Sequence, residues 1–126
     1  SCLPGSAPCL KAPTETLAVA LDWVAGDATS NIRVINMSLG GGEFDTSCDD
    51  ISPLAGAIDD LRDNGIAVVI ASGNKGYSDA VAHPGCVSAA ITVGGSGNNT
   101  DTMYSNSNSS YLVDMLAPGV SSLSLR

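Results

Sequence analysis

The chain has 126 residues and a hydrophobic content of 44%, enough for one globular domain with a modest core, and this excludes a disordered chain. Its net charge is -8 and its five basic residues are scattered, which argues against nucleic acid as a partner because phosphate binding needs a concentrated basic face. No apolar run approaches the roughly 18 residues of a transmembrane helix, so no membrane partner is expected.

The chain contains four cysteines and a single histidine, and these counts indicate the cellular compartment in which it folds. The cysteines form no CxxC pair and one histidine is too few for a common zinc site, so the pattern favours two disulfides over a metal. Disulfides persist in oxidising compartments, and a secreted location, extracellular or periplasmic, is therefore predicted. The first residues have neither the basic nor the apolar region of a signal peptide, so any export signal is expected upstream or already removed.

The chain begins with a turn-rich segment, residues 1–13, that contains Cys2 and Cys9. A segment this short is not expected to fold unless it is stapled, so we predict a Cys2–Cys9 bridge. A helix follows over about residues 15–25, with Thr14 as its N-cap and apolar residues recurring on one side.

The middle of the chain predicts a strand, a helix and a second strand. Residues 33–39 form a short strand that ends at the glycines 40–42, and the next helix has Ser52 as N-cap and Pro53 at its first position. The apolar run at residues 64–70 predicts a strand buried on both faces of a parallel sheet. Such a unit is a parallel crossover, so both strands end at the same edge.

Polar residues follow both of these strands. Ser38 comes at the end of the first, and the second continues through Ala71, Ser72 and Gly73 to Asn74. Ligands of open α/β sheets bind beyond the carboxyl ends of the strands, so this edge is predicted to be the binding edge.

The rest of the chain adds strands to the same α/β domain. An irregular loop leads from Asn74 to a predicted strand over residues 87–93, which two glycines close. Residues 98–110 are rich in Asn and Ser and predict loops around a short strand near Met103, and a last apolar piece covers residues 111–116.

Five motifs carry a resemblance to a known family. They are NMSLGG at 36–41, IASGNKG at 70–76, AITVG at 90–94, YSN at 104–106 and LAPGV at 116–120. In this order and at these separations they resemble the middle of the subtilisin-like serine proteases, the subtilases. The resemblance implies a three-layer, parallel-sheet α/β fold that is incomplete in this chain. Residues 1–126 would be part of the catalytic domain, with 1–13 stapled and 14–126 carrying the central sheet, the substrate strand and the oxyanion-hole region.

The resemblance also implies roles for single residues. Asn74 corresponds to the side-chain donor of the oxyanion hole, whose N–H groups meet the negative charge that develops during acyl transfer. The substrate-binding strand, whose backbone pairs with an extended peptide, corresponds to Ser38, Leu39 and Gly40. The walls and floor of the primary specificity pocket correspond to Ala71, Ser72, Gly73, Ala82, His83 and Pro84. A pocket of small residues without a buried acid is expected to admit a large apolar side chain.

The catalytic triad itself is not expected in these residues. The family's order is Asp, His, Ser, and neither the His-Gly-Thr-His type motif nor the Gly-Thr-Ser-Met motif occurs here. Asp22, Asp45 and Asp114 stand at the wrong places for the triad acid, and His83 follows Asn74, which favours a structural role. We therefore expect the central part of a secreted serine endopeptidase that is inactive alone. A non-catalytic peptide-binding homologue is the alternative.

The resemblance leads to three further expectations. Cys48 and Cys86 are expected to pair, because some secreted bacterial subtilases have cysteines at similar positions. The acidic loop from Glu43 to Asp50 fits no EF-hand, so no metal or cofactor is assigned to this chain, although structural calcium is compatible with the parent protease. The resemblance to a protease family implies polypeptide substrates as partners. Missing strands would leave an uncovered sheet face, so we also expect the chain to associate with itself or with other fragments of the same protease.

Overall fold

The computed structural model describes residues 12–27, 31–97 and 100–120. Its elements are α1 (Thr14–Gly26), β1 (Val34–Met37), β2 (Gly41–Phe44), α2 (Ala55–Asp63), β3 (Ala67–Ala71), β4 (Val81–His83), β5 (Ile91–Ser96) and β6 (Met115–Pro118). Neither of these helices has the length and apolar character needed to span a bilayer. The predicted Cys2–Cys9 bridge lies outside the described residues.

A four-stranded parallel sheet in the order β1-β3-β5-β6 is the framework of the fold. β1 and β3 pair in parallel from Val34 and Ala67 to Met37 and Ile70, with α2 between them in the chain, which confirms the predicted crossover. β5 pairs in parallel with β3 on one side and with β6 on the other. All four strands therefore end at the same edge of the sheet, and the predicted α/β parallel-sheet class is confirmed.

One apolar core lies between the two helices and one face of the sheet. α2 contributes Ile58 and Leu61 to this core, and β3 contributes Val68 and Ile70, all of them buried. Val69, between the two buried β3 residues, points to the other face and is only half-buried. The prediction that β3 is buried on both faces is therefore wrong for the described residues, because both described helices contribute to the same core cluster.

Both predicted N-caps are displaced. α1 begins at Thr14 itself, and Pro13 holds the capping position without a side-chain hydrogen bond. α2 begins at Ala55, and the Ser52 hydroxyl accepts the N–H of Leu54 at 3.2 Å. Ser52 therefore caps the turn that leads into the helix rather than the helix.

The two C-terminal strands lie further along the chain than the sequence pattern predicts. The predicted strands at 87–93 and 111–116 are observed as β5 and β6, which begin only at Ile91 and Met115. β5 also runs through the two glycines that the pattern takes as its end. A Cβ on Gly94 would lie 2.9 Å from the Leu116 side chain, so the glycine in β5 allows β6 to pack closely rather than ending the strand.

A second, antiparallel sheet pairs β2 with β4. The predicted strand at residues 33–39 does end before the glycines, at Met37, but the sequence pattern misses β2, which begins at Gly41, and β4, which lies in the predicted irregular loop after Asn74. Phe44 pairs with Val81 and Gly41 pairs with His83. These pairs join residues about 40 positions apart, a distance over which local patterns carry no information.

The Cys48–Cys86 disulfide ties the segment after β2 to the turn before β5, which confirms the predicted pairing. The Cys48 N–H also donates to the Cys86 carbonyl at 3.0 Å. Beside the bridge, the Asp49 carboxylate accepts the Ser88 hydroxyl at 2.6 Å and the Ser88 N–H at 2.9 Å. These bonds to Ser88, the hydroxyl foremost, lower the pKa of Asp49.

Removal of this disulfide is expected to destabilise the fold by about 3 to 4 kcal/mol, because the bridge closes a loop of 38 residues and so restricts the unfolded chain. The variant is Cys48→Ala/Cys86→Ala, and the measurement is urea unfolding under oxidising conditions. The oxidised parent protein is the reference, since reduction would also open the predicted Cys2–Cys9 bridge. An unfolding midpoint equal to that of the oxidised parent would contradict the expectation.

Candidate functional site

A cleft opens at the sheet edge where β1 and β3 end. Its volume is about 210 Å³, room for one large side chain rather than for a drug-sized ligand, whose pockets begin at about 300 Å³. It is lined by Ser38, Leu39, Gly40, Gly41, Gly42, Ala71, Gly73, Asn74, Lys75, Tyr77, Ala82 and Asn108. No acidic residue belongs to this set of described residues.

One rim of the cleft is the segment that follows β1. Ser38, Leu39 and Gly40 are exposed, and within the described residues their backbone N–H and C=O groups have no backbone partner. A Cβ on Gly40 would lie 2.9 Å from the His83 carbonyl oxygen and 3.1 Å from the Ala82 Cβ. Only glycine therefore fits there, and this rim is an open, extended edge that a peptide backbone could pair with.

The opposite rim is the loop that follows β3. Gly73 has φ +112°, a conformation that side chains rarely adopt, and it turns the chain so that Asn74 stands exposed at the cleft. Among the described residues the Asn74 side chain has no hydrogen-bond partner. Its amide N–H groups are therefore available to a ligand in the cleft.

Asn108 holds this loop from behind, although the sequence pattern does not indicate it. It is fully buried. Its Nδ2 donates to the Ser72 carbonyl at 3.0 Å, and its Oδ1 accepts the N–H groups of Lys75 at 2.8 Å and Tyr77 at 3.3 Å. In the sequence it stands in a run of Asn and Ser that is typical of a solvated loop, so only the folded chain reveals its burial.

The backbone of the neighbouring residues strengthens the same contact. Asn108 N–H donates to the Gly73 carbonyl at 3.0 Å, and Ser109 N–H donates to the Tyr77 carbonyl at 2.7 Å. In the reverse direction, Gly76 N–H donates to the Asn106 carbonyl at 2.9 Å. We call residues 105–109 the clamp segment, because it runs along the loop and fixes its backbone.

Three residues of the predicted pocket do not line the cleft, namely Ser72, His83 and the fully buried Pro84. Ser72 is buried, and its hydroxyl donates to the Asn108 carbonyl at 3.0 Å. The His83 imidazole places Nε2 2.8 Å from the Ser52 hydroxyl and packs near the Phe44 ring. Ala71, Gly73 and Ala82 thus line the cleft as predicted. The Ser72 side chain and the His83 ring instead pack behind it.

The acidic loop does not form a metal site in the part of the chain that the structure describes. No three His, Cys, Asp or Glu side chains come together there as a ligand group. Asp49 is committed to Ser88 through both carboxylate oxygens.

Comparison with known proteins gives consistent matches. The model of the Subtilase family matches residues 11–126. A cuticle-degrading serine protease of Orbilia oligospora is 35% identical over 111 residues, which are 88% of this chain and 24% of that protein. An extracellular serine proteinase of Thermus sp. (strain Rt41A) is 38% identical over 107 residues, 85% of this chain and 24% of that protein. The chain thus spans about a quarter of the length of these relatives.

Solved structures agree on the fold. A cold adapted subtilisin-like serine proteinase matches with a TM-score of 0.66 and 35% identity, covering 86% of this chain and 37% of that one. The prenylagaramide maturation protease PagA matches with a TM-score of 0.71, covering 88% of this chain and 39% of that one, but at 24% identity it shows the fold alone.

The His83 site predicts a pH dependence. Burial lowers the pKa of His83 below its usual value of about 6.5. The unfolded chain then binds the proton more readily, so this contribution to stability is complete above pH of about 6.5 and is lost as the pH falls through the lowered pKa.

The test is an NMR titration of the imidazole, which is unambiguous because the chain has one histidine, together with urea unfolding at several pH values. The control variant His83→Gln should lose the pH dependence between about pH 7 and the lowered pKa. An imidazole pKa at or above about 6.5 would contradict the analysis.

Proposed function

Because the chain belongs to the subtilase family, we propose that it is the central part of the catalytic domain of a secreted, subtilisin-like serine endopeptidase that cleaves polypeptides through an acyl-enzyme. The observation that carries this proposal is the Asn74 amide, exposed at the cleft and without a partner among the described residues. It faces the cleft across from the open edge at Ser38, Leu39 and Gly40.

In the proposed mechanism, the substrate adds an extended strand to the backbone of Ser38, Leu39 and Gly40. One substrate side chain enters the cleft between Gly40 and Gly73. The carbonyl carbon beside it is attacked, and its oxygen takes up negative charge. The Asn74 N–H donates to that oxygen and lowers the barrier, because the donor is already oriented before the charge develops.

The nucleophile and its base would come from other parts of the same gene product. The 126 residues contain neither of the family's His and Ser motifs, and the proposed role of this segment is to bind the substrate and to stabilise the oxyanion. Residues 1–126 alone are therefore proposed to be inactive, since acyl transfer needs an activated nucleophile.

Two observations support the finer points of the proposal. The Cys48–Cys86 disulfide fits an oxidising, extracellular environment, and a relative is described as an extracellular serine proteinase. The small residues that line the cleft, with no acid among them, fit a preference for a large apolar side chain on the substrate.

The proposal predicts that Asn74→Ala in the full-length gene product lowers kcat by about 10²- to 10³-fold. This is the loss known for the family's side-chain donor, and it is carried over from there. KM should change little, because the donor acts mainly on the transition state. The measurement is hydrolysis of a peptide ester or anilide with an apolar residue before the cleaved bond.

Asn64→Ala is the control for this experiment, since Asn64 ends α2 and its side chain contacts only the Asp60 carbonyl. It should keep the kcat of the parent enzyme. An Asn74→Ala variant with unchanged kcat would contradict the assigned role. A full-length gene product that binds peptides without turnover would favour the non-catalytic homologue instead.

Further segments of the same protease are also proposed to cover the second face of the sheet. The strand register places Val34, Val69, Val93 and Met115 on that face, and Val34 and Met115 are 58% and 53% exposed. An apolar stripe of this kind favours association.

Residues 1–126 alone are therefore expected to self-associate as their concentration rises, which sedimentation velocity measures. Val34→Thr/Met115→Thr should reduce the association, whereas Val19→Thr, on the exposed side of α1, should not. A monomer at every concentration would count against this part of the proposal.

A further inference from the structure

We propose that Asn108 is a positioning residue for catalysis, which fixes the loop on both sides of Asn74 and so sets where the oxyanion donor points. This inference rests on the proposed function of Asn74. Asn108 lies 34 positions further along the chain and, being fully buried, would act through the loop rather than by touching the substrate.

The hydrogen bonds of the Asn108 side chain reach residues on both sides of Asn74 in the sequence. Nδ2 donates to the carbonyl of Ser72, two residues before Asn74, and Oδ1 accepts the N–H of Lys75, the residue after it. A second bond to Oδ1 comes from the Tyr77 N–H. The chain around Asn74 is therefore held at both ends by one planar group.

This arrangement requires an amide. One side of the group must donate to a carbonyl while the other accepts from N–H groups, and among side chains of this size only asparagine does both without a charge. Truncation to alanine would leave the N–H groups of Lys75 and Tyr77 without their partner, whereas the Ser72 carbonyl keeps a bond from the Ala82 N–H at 2.8 Å. The loop would lose its anchor on the side that follows Asn74.

Packing at Gly73 couples the same two parts of the chain. A Cβ on Gly73 would collide with Asn108 Nδ2, and it would lie 3.0 Å from the Ala82 Cβ. The buried amide therefore lies directly against the turn that glycine allows at φ +112°. Without the amide group, the turn gains space in which Asn74 can move away from the cleft.

The consequence is a specific loss of turnover. A displacement of about 1 Å in a catalytic group can cost about 10²-fold in rate, so Asn108→Ala is expected to lower kcat by about 10- to 100-fold in the full-length gene product. The matched control is Asn106→Ala in the same clamp segment, because the Asn106 side chain is exposed and, among the described residues, hydrogen-bonds only to the Tyr104 hydroxyl. This control should keep kcat within about 2-fold.

A double-mutant cycle separates positioning from general support of the fold. Asn108→Ala is made in the parent and in an Asn74→Ala background, and kcat is expressed per titrated active site, so that unfolded molecules do not count. If Asn108 acts through Asn74, Asn108→Ala should lower kcat by less than about 3-fold in the Asn74→Ala background, because the donor to be positioned is already absent there.

Equal losses in both backgrounds, or no loss in the parent, would overturn the inference. The cycle also separates a failure of this inference from a failure of the proposed function. The proposed function fails if Asn74→Ala alone leaves kcat unchanged. If Asn108→Ala does not fold, Asn108→Leu takes its place, since leucine fills nearly the same space but can neither accept from Lys75 and Tyr77 nor donate to the Ser72 carbonyl. The same coupling with Asn74→Ala is expected for this variant, and its absence would again overturn the inference.

Discussion

The hydrogen bonds between the clamp segment and the loop after β3 are the constraint on which the candidate site depends. The parallel sheet brings the ends of β1 and β3 to one edge, but it does not determine how the chain continues beyond that edge. The loop leaves the sheet through Gly73, whose positive φ turns the chain away from the strand direction. The backbone beyond Gly73 therefore does not continue the pairing of β3. The buried amide of Asn108 and the backbone of its neighbours supply that pairing from a distant part of the chain.

The two rims of the cleft are consequently supported in different ways. Within the described residues, the rim after β1 has unpaired backbone groups, suited to receive an added strand, and its Gly40 rests on β4. The rim after β3 is held by hydrogen bonds from the clamp segment on both sides of Asn74 and presents the Asn74 side chain to the cleft. Under the proposed function, the unpaired backbone of the first rim would bind the substrate, and the held loop of the second rim would orient Asn74 toward the developing negative charge. The Cys48–Cys86 bridge, beside the turn that follows β4, helps to hold the cleft floor in place.

The sequence predicts the parallel crossover and the meeting of Ser38 with Asn74 at one edge, because apolar runs and glycines report local geometry directly. It fails at β2 and β4, whose pairing joins distant residues. It also places the starts of β5 and β6 too early, and it misses the end of β5, where Gly94 allows close packing instead of ending the strand. It also misses Asn108, because nothing in a single sequence distinguishes a buried asparagine from a solvated one. The orientation of the His83 ring toward Ser52 is a tertiary contact of the same kind.

A crystal structure of the full-length gene product, inhibited by a peptide boronic acid, tests the central claim most directly. The tetrahedral boronate places an oxygen where the oxyanion of the substrate would stand. The proposed role of Asn74 predicts a distance of about 2.7 to 3.1 Å between that oxygen and Asn74 Nδ2, with the Asn108 bonds to Ser72 and Lys75 intact. A boronate oxygen bound by other donors, with the Asn74 side chain turned away from it, would contradict the account.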